Sequence, residues 1–149
     1  MADDATITLS ATVLPDEIAK TIAGTMTLAP ADANDKWYYK FTSVSNASTD
    51  LIAGYFTDYT AVDDDTAPTA VHTADKVKFL FIKNTDGSND VYLVFDAGTA
   101  STSAGDAIKV PSGTAWFGQL PNTTVAEVHA ISSTSTVNCL VAALIDDVA

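Results

Sequence analysis

A chain of 149 residues falls in the size range of one domain and buries roughly 70% of its unfolded surface, enough for a core without disulfides or metals. Nineteen acids stand against seven bases, all of them lysine, and the net charge of −12 repels phosphate backbones, which argues against nucleic-acid binding. No apolar run approaches the ~20 residues of a membrane helix. Met1-Ala2-Asp3-Asp4 has neither the basic nor the apolar region of a signal peptide, so a soluble protein without an export signal is expected.

Alternation with period two dominates the chain. In Thr6 to Val13 the residues Ile7, Leu9, Ala11 and Val13 alternate with threonine and serine, the pattern of a half-buried strand. Pro15 to Ala23 is the single helical candidate, since Pro15-Asp16-Glu17 suits a first turn, although β-branched residues soon follow. Thr21 to Leu28 alternates again, with Ile22, Met26 and Leu28 expected inward. Lys36 to Val44 places Trp37, Tyr39 and Phe41 on one face, and core packing is the expected role of these aromatics. Lys76 to Lys83 groups Val77, Phe79 and Phe81, and Val91 to Phe95 groups Val91, Leu93 and Phe95. The turn-rich stretch from Asn84 to Asp90 lies between them, so residues 76–96 read as a β-hairpin.

Further strands are expected at Ala107 to Val110, Ala115 to Leu120, Glu127 to Ser132 and Val137 to Ile145, punctuated by Pro111-Ser112-Gly113 and Pro121-Asn122. The last strand is apolar on both faces, which a central strand and a subunit interface explain equally well. Many short strands between Gly, Pro, Asn, Asp and Ser predict an all-β fold: one antiparallel β-sandwich or jelly roll over residues 1–149, with room for a short N-terminal arm at 1–5.

Little chemistry is legible. No Gly-x-Ser-x-Gly elbow occurs, and the two histidines, His72 and His129, sit where polar structural roles suffice. Two histidines and one cysteine, scattered along the chain, do not make a zinc site, and no glycine-rich phosphate loop is present. Asp63-Asp64-Asp65 and Asp86 to Asp90 are carboxylate-rich but do not follow the spacing of a calcium loop, so they read as exposed turn acids. Cys139, in an apolar run without a basic neighbour, reads as a buried, inert thiol. No enzyme activity, cofactor or metal is expected.

From Phe79 to Asp147, the segments FLFIKNTDGSNDVYLVFDAG, IKVPSGTAWFGQLPN and AEVHAISSTSTVNCLVAALIDD resemble a layout found in small structural proteins of tailed bacteriophages. An Ile-x-Asn sequence leads into a hairpin turn, a Pro-x-Gly loop leads into an aromatic strand, and a Ser/Thr-Gly-like turn precedes a closing apolar strand. Ser133-Thr134-Ser135-Thr136 stands where such proteins often have a glycine. The resemblance implies a virion component made in the host cytoplasm. The charge then favours an outer-shell decoration or cement protein over a surface facing packaged DNA. The implied partners are further copies of the chain, a trimer being the preferred form, and a major capsid protein, with no nucleic acid and no membrane. Ile7, Leu9, Val13, Leu140 and Leu144 are the candidate interface residues, because the first strand carries neither charge nor proline to blunt its edge. A tail, neck or fibre component is the alternative within that class; a carbohydrate-binding or adhesion module is the alternative outside it.

Overall fold

A computed structural model describes residues 4–13, 20–57, 68–96 and 98–148, and for Thr12, Val13 and Lys20 the backbone alone. By contact the chain divides into two compact units, residues 1–33 and 34–149.

The first unit is a two-stranded antiparallel sheet of β1 (Ala5–Val13) and β2 (Lys20–Leu28). The register pairs Ile7 with Met26, Leu9 with Gly24 and Ala11 with Ile22, so the apolar residues of both strands share one face and the threonines the other. The expectation of inward-facing residues holds for Leu28, which is buried, and Met26 is half-buried; it is corrected for Ile22, which is 58% exposed, and Leu9 on β1 is 51% exposed. The helical expectation for Pro15 to Ala23 also fails where it can be checked. Lys20 to Ala23 belong to β2, where threonine and isoleucine fit the pleat. Residues 15–19 lie outside the described residues.

The second unit contains two four-stranded antiparallel sheets. One has the order β3 (Asp35–Val44), β10 (Val137–Asp146), β5 (Lys76–Asn84), β8 (Ala115–Thr124). The other has the order β4 (Thr49–Asp50), β9 (His129–Ser132), β6 (Val91–Val94), β7 (Ile108–Val110). Their facing residues form one core. Val141, Ile82 and Leu80 from the first sheet meet Val91, Leu93 and Ala130 from the second, all fully buried. Phe95 closes one flank against Trp116, with ring centroids 5.5 Å apart. The fold is therefore all-β and sandwich-like, as the alternation predicts.

The predicted hairpin over 76–96 does not form: β5 and β6 belong to different sheets. The turn sequence is real, but it carries the chain across the sandwich instead of back along the same sheet. Asn84 sets that crossing. Its side chain is fully buried and donates from Nδ2 to the carbonyls of Asn89 (2.8 Å) and Val110 (3.3 Å), while Oδ1 accepts the Asp86 N–H. One side chain thus ties the end of β5 to the start of the turn and to β7 in the opposite sheet.

A bulge sets which residues of β5 reach the core. Leu144 pairs with Phe79 and Ile145 with Val77, so Lys78 is an extra residue against β10. The shift changes which residues share a side, and Val77, Leu80 and Ile82 enter the core in place of the expected Val77, Phe79 and Phe81. On β8 the same place is looser still: Gln119 pairs with Phe79 and Thr123 with Val77, leaving Leu120, Pro121 and Asn122 opposite Lys78 alone. Asn122 takes φ 61°, a left-handed conformation that asparagine tolerates.

Replacing Asn84 by Ala should strand the carbonyls of Asn89 and Val110 and one turn N–H. A loss of about 1–3 kcal/mol in urea unfolding is expected, with the native circular dichroism retained. An unchanged midpoint would show that the turn holds without it.

Candidate functional site

The first sheet has a second face, turned away from the core, and cross-strand register defines it row by row. Phe41 pairs with Leu140, which pairs with Lys83; Tyr39 pairs with Ala142, which pairs with Phe81 and so with Phe117; Trp37 pairs with Leu144, which pairs with Phe79. Four strands thus present a continuous apolar and aromatic surface. Leu144 and Phe79 are buried, while Trp37, Phe81, Phe117 and Leu140 are half-buried. Tyr39 and Phe41 are 57% and 56% exposed.

Both ends of this surface are polar. At one end Ser43 Oγ donates to Asn138 Oδ1 at 2.7 Å. At the other the bulged Lys78 reaches Asp35 Oδ1 at 2.5 Å and Asp146 Oδ2 at 3.5 Å. Asp35 is buried, and its carboxylate is the chief reason that the Lys78 ammonium holds its proton more tightly than usual. Between these ends the rows carry one charge, Lys83, and no carboxylate. An apolar centre inside a polar rim is how binding surfaces are built, and scattered single hydrophobic residues would not give it.

The expectation that the β3 aromatics pack in the core is thereby corrected. Their shared face was read properly, but it is the outer one, and Tyr38 and Val44 on the opposite side of the strand are the buried pair. The Tyr38 hydroxyl reaches the Ala53 carbonyl at 3.1 Å, and burial raises its pKa.

The expected interface residues fall in three places. Ile7 and Leu9 lie on the apolar face of β1, and Val13 pairs with Lys20 at the end of that hairpin. Leu140 sits on the outer surface of the sheet, whereas Leu144 is buried and offers little to a partner. The surface comes instead from Tyr39, Phe41, Phe81 and Phe117, whose grouping depends on strand order.

The histidines and carboxylates have structural partners. His129 Nδ1 lies 3.2 Å from Asp50 Oδ1, and His72 is exposed. His72, Asp75 and Asp147 bring ligand atoms within 4.8 Å of one another. However, Asp75 accepts the N–H groups of His72 and Val148 on its two oxygens, and Asp147 pairs with Lys36. Asp63 to Asp65 lie outside the described residues. Asp86 and Asp90 are half-buried, which corrects the picture of freely exposed turn acids.

Asp86 accepts the Asn89 and Ser88 N–H groups, and these bonds hold its carboxyl below the usual range. Asp90 is lowered first by Lys109, 2.7 Å away, and then by the Ser112 N–H. Glu127 is lowered by the N–H and hydroxyl of Thr124 at the start of a short 3-10 helix, Val125–Glu127. Cys139 is fully buried, and burial first, then the charge of Asp86, pushes its thiol up to about 11.

The chain matches no protein-family model, no curated protein and no solved structure.

Two outcomes follow from these groups. The native protein should resist a thiol reagent at neutral pH and react stoichiometrically once unfolded; fast labelling of the folded chain would contradict the burial of Cys139. The three lowered carboxyls stabilise the fold fully above the ordinary carboxylate range and lose that contribution as pH falls through their folded values. Tm should therefore hold from neutral pH to about pH 5 and fall below about pH 4. A Tm unchanged down to about pH 2 would show that these carboxylates contribute nothing.

Proposed function

We propose that this chain is a structural subunit of a virion, mounted on the outer shell as a capsid decoration or cement protein. The observation that carries the reading is the aromatic centre of the outer face of the β3-β10-β5-β8 sheet, whose three central rows hold no carboxylate, on a chain of net charge −12. Protein contact suits such a surface, since aromatic residues are enriched and acids depleted at interface centres. The acidic remainder disfavours a position against packaged DNA. The phage-like layout of residues 79–147 supplies the particle, and its partners are further copies of the chain and a major capsid protein. The same face would serve a tail, neck or fibre component.

One observation favours a different class. Tyr39 and Phe41 stand two residues apart on one strand face, both more than half exposed, as a sugar-stacking platform requires. Their cross-strand neighbours, Ala142 and Leu140, offer no hydrogen bonds to hydroxyl groups, and so protein contact is the better reading.

Particles purified by density gradient from a lysate of the host carrying the gene should contain the chain, and antibody should label it on the outside of intact heads. Label confined to tails would move it to the rival position. Complete absence from particles, together with glycan-array binding that Tyr39→Ala abolishes, would overturn the virion reading in favour of a carbohydrate module.

A further inference from the structure

We infer that the outer face of the β3-β10-β5-β8 sheet is covered by the β1–β2 hairpin of a second copy of this chain. The inference deepens the reading of that face as an assembly surface; it does not depend on where in a particle the protein sits.

Three observations converge. First, a two-stranded hairpin is marginal in water unless its apolar face is packed. Here Leu9 and Ile22, at the centre of that face, are 51% and 58% exposed, while Leu28 at the end of β2 is buried. Second, the sheet leaves Tyr39 and Phe41 more than half exposed at the centre of its own apolar face. Each copy thus has exposed apolar residues at the centre of two faces, which copies can cover for one another.

Third, charge restricts where two such chains can meet. Each copy carries −12, so association must proceed through surfaces without carboxylates. β1 and β2 contain one lysine and no acid in their eighteen residues, although the whole chain has 19 acids. The three central rows of the sheet face contain only Lys83. Face against face, these surfaces bring no carboxylate against another carboxylate.

The dimensions suit the contact. Strands of nine residues run ~30 Å, and two of them side by side cover a footprint of ~300 Å². β3 and β10, with ten residues each, match that length. Reciprocal exchange of hairpins between two copies would bury ~1,200 Å² in total, the lower bound of a specific protein interface, and a closed ring gives each copy the same share.

The test uses full-length chains. Leu9→Cys and Phe41→Cys variants, co-expressed with distinguishable tags, are treated with a flexible bis-maleimide; buried Cys139 should stay silent. A crossed product joining one variant to the other is expected, with a wild-type sedimentation mass above one chain. Leu9→Asp and Ile22→Asp should each drop that mass to one chain while keeping the native circular dichroism. Products joining only Phe41→Cys to Phe41→Cys would put sheet against sheet and overturn the inference. So would closure within a single Leu9→Cys/Phe41→Cys chain, or a wild-type mass of one chain. A crossed product from a protein absent from particles would leave this inference standing and defeat the virion reading; the chain on particles without a crossed product would do the reverse.

Discussion

The sandwich depends on one stripe of one strand. Val137, Cys139, Val141, Ala143 and Ile145 of β10 are all fully buried, and β10 lies between β3 and β5 over nearly its whole length. Burying a valine or isoleucine side chain is worth roughly 1.5–3 kcal/mol, so this stripe supplies a large part of a domain's marginal stability. The small residues in it matter as much. Cys139 and Ala143 leave room for Tyr38 and for the second sheet, whose Val91 and Leu93 complete the layer. A polar group at any of these five positions would have no water to turn to.

Holding two sheets in one register needs directional contacts as well as apolar ones. The arch after β5 provides them through side chains that sequence reasoning had assigned to a solvated turn. Asn84 bonds across to the chain at Val110, and Asp90 bonds Lys109 and the Ser112 N–H around β7. Thr134 Oγ1 and Ser135 Oγ then fasten Asn89 to the loop before β10. The stretch Ser133-Thr134-Ser135-Thr136 is therefore a source of hydroxyls that bond the arch. Composition marked these residues as turn formers; only the topology shows that three separate loops meet there.

Most strands were legible because period two survives in a single sequence. β1, β2, β3, β6, β7 and β10 begin and end close to where alternation places them. Which face is inner was not legible. Alternation groups Trp37, Tyr39 and Phe41 correctly, but the grouping is symmetrical with respect to inside and outside, and β3 offers a usable Tyr38–Val44 side as well. On β5 the extra Lys78 breaks the period itself, and no local signal marks the residue at which a strand bulges. The reversal at residues 84–90 was equally ambiguous, since the same turn residues serve a hairpin or an arch between sheets. The outer aromatic surface combines four strands far apart in the chain, so only strand order brings its residues together.

The disorder in register at the β5–β8 margin has a consequence for growth of the sheet. A β-sheet extends indefinitely only when both of its outermost strands present straight, complementary backbones. On β8 the segment Leu120-Pro121-Asn122 buckles outward, with proline lacking its N–H and Asn122 in a left-handed conformation. That border cannot template a further strand along its length. On the β3 side a backbone partner is already in place, since Thr57 donates to the Trp37 carbonyl. The lattice of hydrogen bonds is thus directional and terminates at β8, and a chain with a broad sticky surface is spared the two-ended polymerisation that produces fibres.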